Sequence, residues 1–293
     1  MDECVAAFRL DAAPVRGRYA RLGAATVDAI LARHAYPWPV ALLLGEALTL
    51  AALVSALLKT QGRFSVQAQG SGPVSLLVAE CGADGDLRGY ARLQADAPLP
   101  AQRMTPRALL GDDGALAMTL DRGDLGPPHQ GIVALDGDTL AEAAENYFTN
   151  SEQTPTRVKL AVARAFDGSA APVWRAGGAL IQRIAGDAAR GDTQEDWRRA
   201  EILFATLRDD ELVDPALGAD GALYRLFHEE GVRMAAPAPL IDRCTCTEER
   251  LFAVLRTLPR EDLNGLVEDD GAVHARCQFC ARDYVASPER ILG

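Results

Sequence analysis

Cys244-Thr245-Cys246 and Cys277-Gln278-Phe279-Cys280 place four of the six cysteines of this 293-residue chain in its last fifty residues. If the four thiolates converge on one cation, this tail is a separate metal-built module and the remainder must fold on its own. Four thiolates around zinc form a closed tetrahedral site with no open position for a substrate. A module of about fifty residues is below the size at which an apolar core usually suffices, so metal binding would be folding energy. Residues 247–276 leave room for a helix over Glu248 to Leu258 and a further helical turn near Glu261 to Val267. Val273-His274-Ala275-Arg276 before Cys277 and Asp283-Tyr284-Val285 after Cys280 read as strand, knuckle, strand.

The same thiols can be oxidised. A disulfide closed inside Cys-Thr-Cys would form a very small, strained and therefore easily reduced ring. Thiolates within reach of an oxidant can climb from sulfenic acid to disulfide, and either disulfide would remove donors from the metal. A static zinc clip and a thiol-disulfide oxidoreductase remain as alternatives, the latter because C-x-x-C is also a redox-catalytic spacing. That chemistry requires a low-pKa cysteine at a helix N-terminus, whereas Cys277 occupies a knuckle. A nucleic-acid module fits poorly: from Cys244 to Gly293 there are six arginines against nine acidic residues. His274, three residues before Cys277, is read as a surface or supporting residue, because four cysteines complete the shell. Cys4 and Cys81 have no partner at metal spacing and are read as a tail thiol and a half-buried small residue. His34, His129 and His228 are isolated, Gly70-Ser71-Gly72 lacks the Lys-Ser/Thr of a phosphate loop, and no enzyme active site is visible.

Working outward, the net charge of -11 argues against a chain that binds by neutralising nucleic-acid phosphates or acidic membrane surfaces. With 48% hydrophobic residues, the chain can build one large core besides the small module. Met1-Asp2-Glu3-Cys4 lacks the basic and apolar regions of a secretory signal, and six cysteines are too few for a disulfide scaffold, which implies a reducing cytoplasm. Tyr36-Pro37-Trp38-Pro39 primes a helix that should run to near Lys59. Its apolar stretch, Val40 to Leu58, is broken by Gly45, Glu46, Thr49 and Ser55, so it reads as a buried helix and not a membrane span.

Short runs at Phe64 to Gln69, Val74 to Ala79 and Leu87 to Leu93, divided by Gly/Pro/Asp turns, predict an antiparallel meander. Further strands are expected at Ala115 to Leu120 and Gly131 to Leu135, a helix over Leu140 to Phe148, and a strand at Arg157 to Val162 returning to that sheet. From about Gly186 helical stripes appear, with Trp197, Ala200, Phe204 and Leu207, then Leu223, Leu226 and Phe227. The expectation is an α+β protein: an antiparallel-sheet domain with packed helices over 1–185, a helical linker over 186–242, and a zinc module over 243–293.

With these features in place, the chain resembles the bacterial redox-regulated 33 kDa chaperonin family over nearly its whole length. The resemblance is carried by the two cysteine pairs at their interval, by Leu255-Arg256-Thr257-Leu258-Pro259 between them, by Tyr147-Phe148, Ser151-Glu152-Gln153 and Pro155-Thr156, and by His34-Ala35-Tyr36-Pro37 and Leu44-Gly45-Glu46. It implies an ATP-independent holdase, inactive when reduced and zinc-bound at Cys244, Cys246, Cys277 and Cys280. It further implies that oxidation joins Cys244 to Cys246 and Cys277 to Cys280, releases zinc, unfolds the module, loosens the linker and promotes dimerisation. Unfolding client proteins are the implied partners, and the stripes of Trp197, Phe204, Leu207, Leu223 and Phe227 are the candidate hidden client surface.

Overall fold

The computed structural model of the chain describes residues 2–292 apart from 59, 60, 96, 98, 100, 101, 103, 136, 167, 169, 170 and 185–192. Lys59, where the long helix was expected to end, and the 185/186 boundary lie outside the described residues. The chain separates into two compact units, Met1–Asp242 and Arg243–Gly293.

In the first unit the helix α2 (Trp38–Ser55) follows a four-residue helix α1 (Ala29–Ala32) and begins behind Pro37, whose φ of -54° and ψ of 148° aim the chain into the first turn. It is apolar all round and buried from Pro39 to Ser55, the pattern of a helix covered on every side. It is long and apolar enough to cross a membrane, but 94% of it is buried inside the protein. It stops at Ser55, earlier than the composition suggested.

Two sheets cover it. One is the expected meander, β3 (Arg63–Gln69), β4 (Val74–Gly82) and β5 (Asp86–Leu93), widened by β6 (Ala115–Asp121) and β7 (His129–Ala134), with α3 (Pro106–Leu110) and α4 (Leu140–Asn150) alongside. The other joins β1 (Cys4–Leu10), β2 (Val15–Leu22), β9 (Val173–Arg183) and β8 (Thr156–Ala165) in the order β1-β2-β9-β8. The strand at 156–165 therefore belongs to this second sheet and not to the meander, because its antiparallel partner is β9, from Thr156 opposite Gln182 to Ala165 opposite Val173.

This second sheet is buried on both faces. Alternate residues of each strand enter different cores: Val5, Ala20, Leu22, Val158 and Leu180 face α2, while Phe8, Leu10, Tyr19 and Ile181 face a layer of helices. Those helices are α5 (Gln194–Ala205), α6 (Asp209–Val213) and α7 (Ala219–Phe227). The layer is also pinned by buried cations. Arg21 and Arg175, both 2% exposed, bridge Asp2 at 2.9 and 2.7 Å. Arg21 donates to the carbonyls of Asp214, at 2.6 Å, and Leu217, and Arg175 donates to that of Val213 at 3.0 Å. The Val213 and Asp214 carbonyls end α6 and need donors, and that of Leu217 lies in the turn before α7. Gly177 permits the approach: a Cβ there would lie 2.0 Å from the Leu212 carbonyl oxygen.

After α7 the chain turns extended. β10 (Val232–Met234) and β11 (Ala238–Pro239) pair with the outer edge of β1, and β12 (Ile241–Asp242) pairs in parallel with the outer edge of β5. One strap thus finishes both sheets before the chain enters the second unit.

Candidate metal centre

The second unit is built from α8 (Glu248–Leu255), α9 (Arg260–Gly265), the hairpin β13 (Val273–Arg276) and β14 (Asp283–Ala286), and the closing helix α10 (Pro288–Leu292). Thr247 caps α8, its hydroxyl accepting from the Arg250 N–H at 3.3 Å. Arg250 in turn donates to the Thr245 carbonyl at 2.8 Å, which fixes the Cys-Thr-Cys segment against the helix start. Across the hairpin turn, Cys277 N–H donates to the Arg282 carbonyl and Ala281 N–H to that of Cys277, at 2.9 and 2.8 Å. Ala281 takes φ of 56°, and the turn presents Cys277 and Cys280 together.

The four sulfurs lie within 4.8 Å of one another and are half-buried. Cys244 and Cys277 approach to 3.8 Å, Cys246 and Cys280 to 3.3 Å. A tetrahedron with metal–sulfur bonds of about 2.3 Å has edges of about 3.8 Å, so the donor set fits a zinc-sized ion. An all-thiolate set also selects soft metals over calcium or magnesium. Burial opposes ionisation of Cys246, but hydrogen bonds from Tyr284 and the other three cysteines more than offset it and lower its pKa to about 7. Burial pushes Cys280 up to about 12. The cluster thus sheds one proton readily and retains another, and a cation at its centre would take the retained proton's place.

Tyr284 is the residue that motif reading passed over. Its hydroxyl donates to Cys246 Sγ at 3.1 Å, a contact of the kind that orients a ligand. The available signal was strand alternation: Tyr284 sits opposite Ala275, two residues before Cys277. His274 points away from the sulfurs, its Nε2 2.9 Å from Asp270 Oδ2, and is exposed. Cys4 and Cys81 lie in β1 and β4 and are buried, so Cys4 is not a tail thiol and Cys81 is more deeply buried than expected. Burial raises both thiols, Cys81 to about 11, which makes them poor nucleophiles. Trp197, Phe204, Leu207, Leu223 and Phe227 all lie in the buried core between the helical layer and the second sheet.

A protein-family model described as Hsp33 protein matches residues 3–287. The 33 kDa chaperonin of Caulobacter vibrioides is 47% identical over 292 residues, covering 98% of this chain and 96% of the relative. That of Cronobacter sakazakii is 39% identical over 264 residues, covering 90% and 85%. The crystal structure of the 33 kDa chaperonin of Thermotoga maritima superposes with a TM-score of 0.80 at 25% identity, covering 99% of this chain and 96% of that one. These relatives are named chaperonins, which supports a chaperone function. On the strength of matches that span nearly the whole chain, this protein belongs to the Hsp33 family.

Proposed function

We propose that this chain is a redox-switched, ATP-independent holdase that is not an enzyme. The observation that carries the reading is the four-thiol cluster set in a unit whose buried apolar residues are only Phe252, Leu255, Leu263, Val273, Ala286 and Ile291 among those described. Such a core is too small to hold fifty residues folded without help. Zinc held by Cys244, Cys246, Cys277 and Cys280 would supply that folding energy.

Joining Cys244 to Cys246 and Cys277 to Cys280 withdraws two electrons per pair, with a peroxide as acceptor reduced to water or an alcohol. Four thiolate donors become two disulfides, and the module has nothing left to hold it together. The shortest sulfur contacts run between the pairs, so the within-pair assignment rests on the family resemblance and on closeness in the chain.

Loss of the module removes the anchor at the end of the 186–242 linker. The stripes of Trp197, Phe204, Leu207, Leu223 and Phe227 then become available to unfolding clients, the oxidised form acts as a dimer, and the setting is the cytoplasm. Cys277 and Cys280 lie in a hairpin turn, and Cys246, although it precedes the cap of α8, has its sulfur engaged by Cys280 and Tyr284 within the four-thiol cluster, which favours a switch over an oxidoreductase.

The test is light scattering from a heat-unfolding client with the chain either reduced and zinc-loaded or pre-oxidised. Suppression of aggregation by the oxidised form alone is expected. Equal suppression by both forms, or none, would return the cysteines to a static zinc clip.

A further inference from the structure

Three strands of the second sheet set polar side chains in one row. Arg16 of β2 and Thr156 of β8 both stand opposite Gln182 of β9, the strand between them. Gln182 is 1% exposed and Thr156 is fully buried. The Gln182 Oε1 accepts from Arg16 Nε and Nη2 at 3.1 and 2.9 Å, and its amide nitrogen donates to Thr156 Oγ1 at 3.1 Å. A guanidinium carries donors only, so the buried amide meets it with oxygen and holds it from behind. Arg16 Nη1 donates to nothing, and no carboxylate pairs with this guanidinium, among the described residues.

Arg16 lines a cavity of about 320 Å³ whose apolar wall is Val54, Leu57, Leu58, Phe64, Leu120 and Phe148. Arg122, His129, Tyr147, Glu152 and Thr154 complete it. Glu152 is already occupied, accepting from the Tyr147 hydroxyl at 2.9 Å and lying 3.4 Å from His129 Nε2. Arg122 is exposed and, like Arg16, has no carboxylate partner among the described residues. Nor is Arg16 spent on a helix end. The closing carbonyls of α2, from Val54 to Ala56, accept from the N–H groups of Leu57 and Leu58 and from Arg18 Nε, and those of α4 at Tyr147 and Phe148 accept from Ser151 and Thr154.

We infer that this cavity is a binding site for a small amphipathic monocarboxylate, an acid group on a short apolar chain, with Arg16 as the anchor of the acid group. Such a site stands independently of the holdase reading. A cavity near the lower end of the usual range of ligand pockets, about 300–1,000 Å³, limits the ligand to a small molecule. The outer fork of a guanidinium fixed from behind matches a planar carboxylate, with little side-chain freedom left to lose on binding. The apolar wall sets the other requirement, since a bare ion would leave it wet while a hydrocarbon chain would bury it. Two guanidinium groups against one carboxylate leave a single positive charge while His129 is neutral, which a monoanion balances and a dianion oversteps.

Calorimetric titration of the full reduced, zinc-loaded chain with octanoate is the test, with octanol, octylamine and inorganic phosphate as matched probes. Octanoate should bind once per chain and raise the thermal midpoint of the first unit, as any ligand selective for the folded state does. Octanol and octylamine should each bind at least tenfold more weakly, and phosphate should not displace octanoate. Arg16→Lys keeps the charge and loses the fork, so it should bind octanoate about tenfold to a hundredfold more weakly, the range carried by hydrogen bonds to a charged group. Arg122→Met, at an exposed position, should weaken binding up to about fivefold and leave the midpoint of the ligand-free protein unchanged. The comparison of octanoate with octanol needs no variant and therefore decides even if Arg16→Lys misfolds. Hydrogen exchange locates the ligand: amides of 147–158 should gain protection with octanoate. No saturable binding at millimolar octanoate, equal binding of octanol, an unaltered affinity in Arg16→Lys, or binding that leaves 147–158 unprotected would each overturn the site. Displacement of octanoate by phosphate would overturn its assignment to carboxylates.

Discussion

The two units reach a folded state by different means. The first buries two apolar clusters, one between its sheets around α2 and one beneath α5, α6 and α7. The second gathers six buried apolar residues, among those described, around one hairpin and places four thiols beside them. A large core tolerates the loss of any one contact. On the proposed reading a core this small leaves stability to one feature, and the chemistry of four sulfurs decides whether fifty residues are folded. That contrast predicts where each kind of perturbation is felt.

Removing the metal should separate the units most sharply. Structural zinc in small modules contributes an apparent ~10–16 kcal/mol at neutral pH, more than such a module's own stability. A strong chelator, or Cys277→Ser, should abolish amide protection across Arg243–Gly293 and leave the protection of α2 and β9 unchanged. Residue-resolved hydrogen exchange decides it. Retention of full protection in the second unit without metal would mean that its apolar core suffices and the contrast is false.

Next in size is a cavity in the first unit. Phe227 is fully buried, its ring centroid 6.0 Å from that of Phe8. Phe227→Ala should cost about 3–5 kcal/mol, read as a lower denaturant midpoint for the first unit with zinc content unchanged. If the helical layer hides client surface, the reduced variant should also suppress aggregation in part. A destabilised variant that stays inactive while reduced would detach that layer from client binding.

The parts of this architecture that sequence made legible are those with one-sided chemistry. The meander strands alternate because one face is buried; α2 is apolar all round because it is covered all round; the cysteine spacing marks four sulfurs that gather within 4.8 Å of one another. The second sheet was harder to read, and β1, β2 and β9 escaped it. Both faces of that sheet are buried, so Val15-Arg16-Gly17-Arg18-Tyr19-Ala20-Arg21-Leu22 shows no simple alternation. Its arginines look like surface until Asp2 and the carbonyls of 213–217 are seen around Arg21 and Arg175. Gly177-Gly178 looks like a turn, though Gly177 is the position against which α6 packs. At the site, the four cysteines were evident from spacing, whereas Tyr284 acquires meaning only once the β13–β14 register is known.

Tyr284 therefore offers a finer probe of the second unit. Tyr284→Phe removes the hydroxyl that donates to Cys246 and keeps the ring. Loss of a partner that orients a metal ligand typically weakens metal affinity about 10–100-fold. Competition with a calibrated chelator should show a shift in that range, with the far-UV spectrum of the zinc-loaded protein unaltered. An unchanged affinity would reduce the hydroxyl to a bystander.

The smallest expected effect lies on the module's surface, at His274 and Asp270. The hydrogen bond to Asp270 raises the His274 pKa above its ordinary 6.5, and the same contact lowers that of Asp270. A raised folded-state value means that the pair's contribution is fully present below the unfolded pKa of about 6.5 and fades as pH rises through the folded one. Thiolate ligation has the opposite sign, since metal binding strengthens as protons leave the sulfurs. A single pH profile mixes the two. The difference between the unmodified protein and His274→Gln, both zinc-saturated, cancels the thiolate contribution common to both. The thermal midpoint of the second unit should be slightly lower in the variant at about pH 6 and the same in both proteins at about pH 8.5. A gap that persists at the higher pH would show that the imidazole stabilises the turn by packing and not by charge, and a gap that widens with pH would tie it to the sulfurs after all.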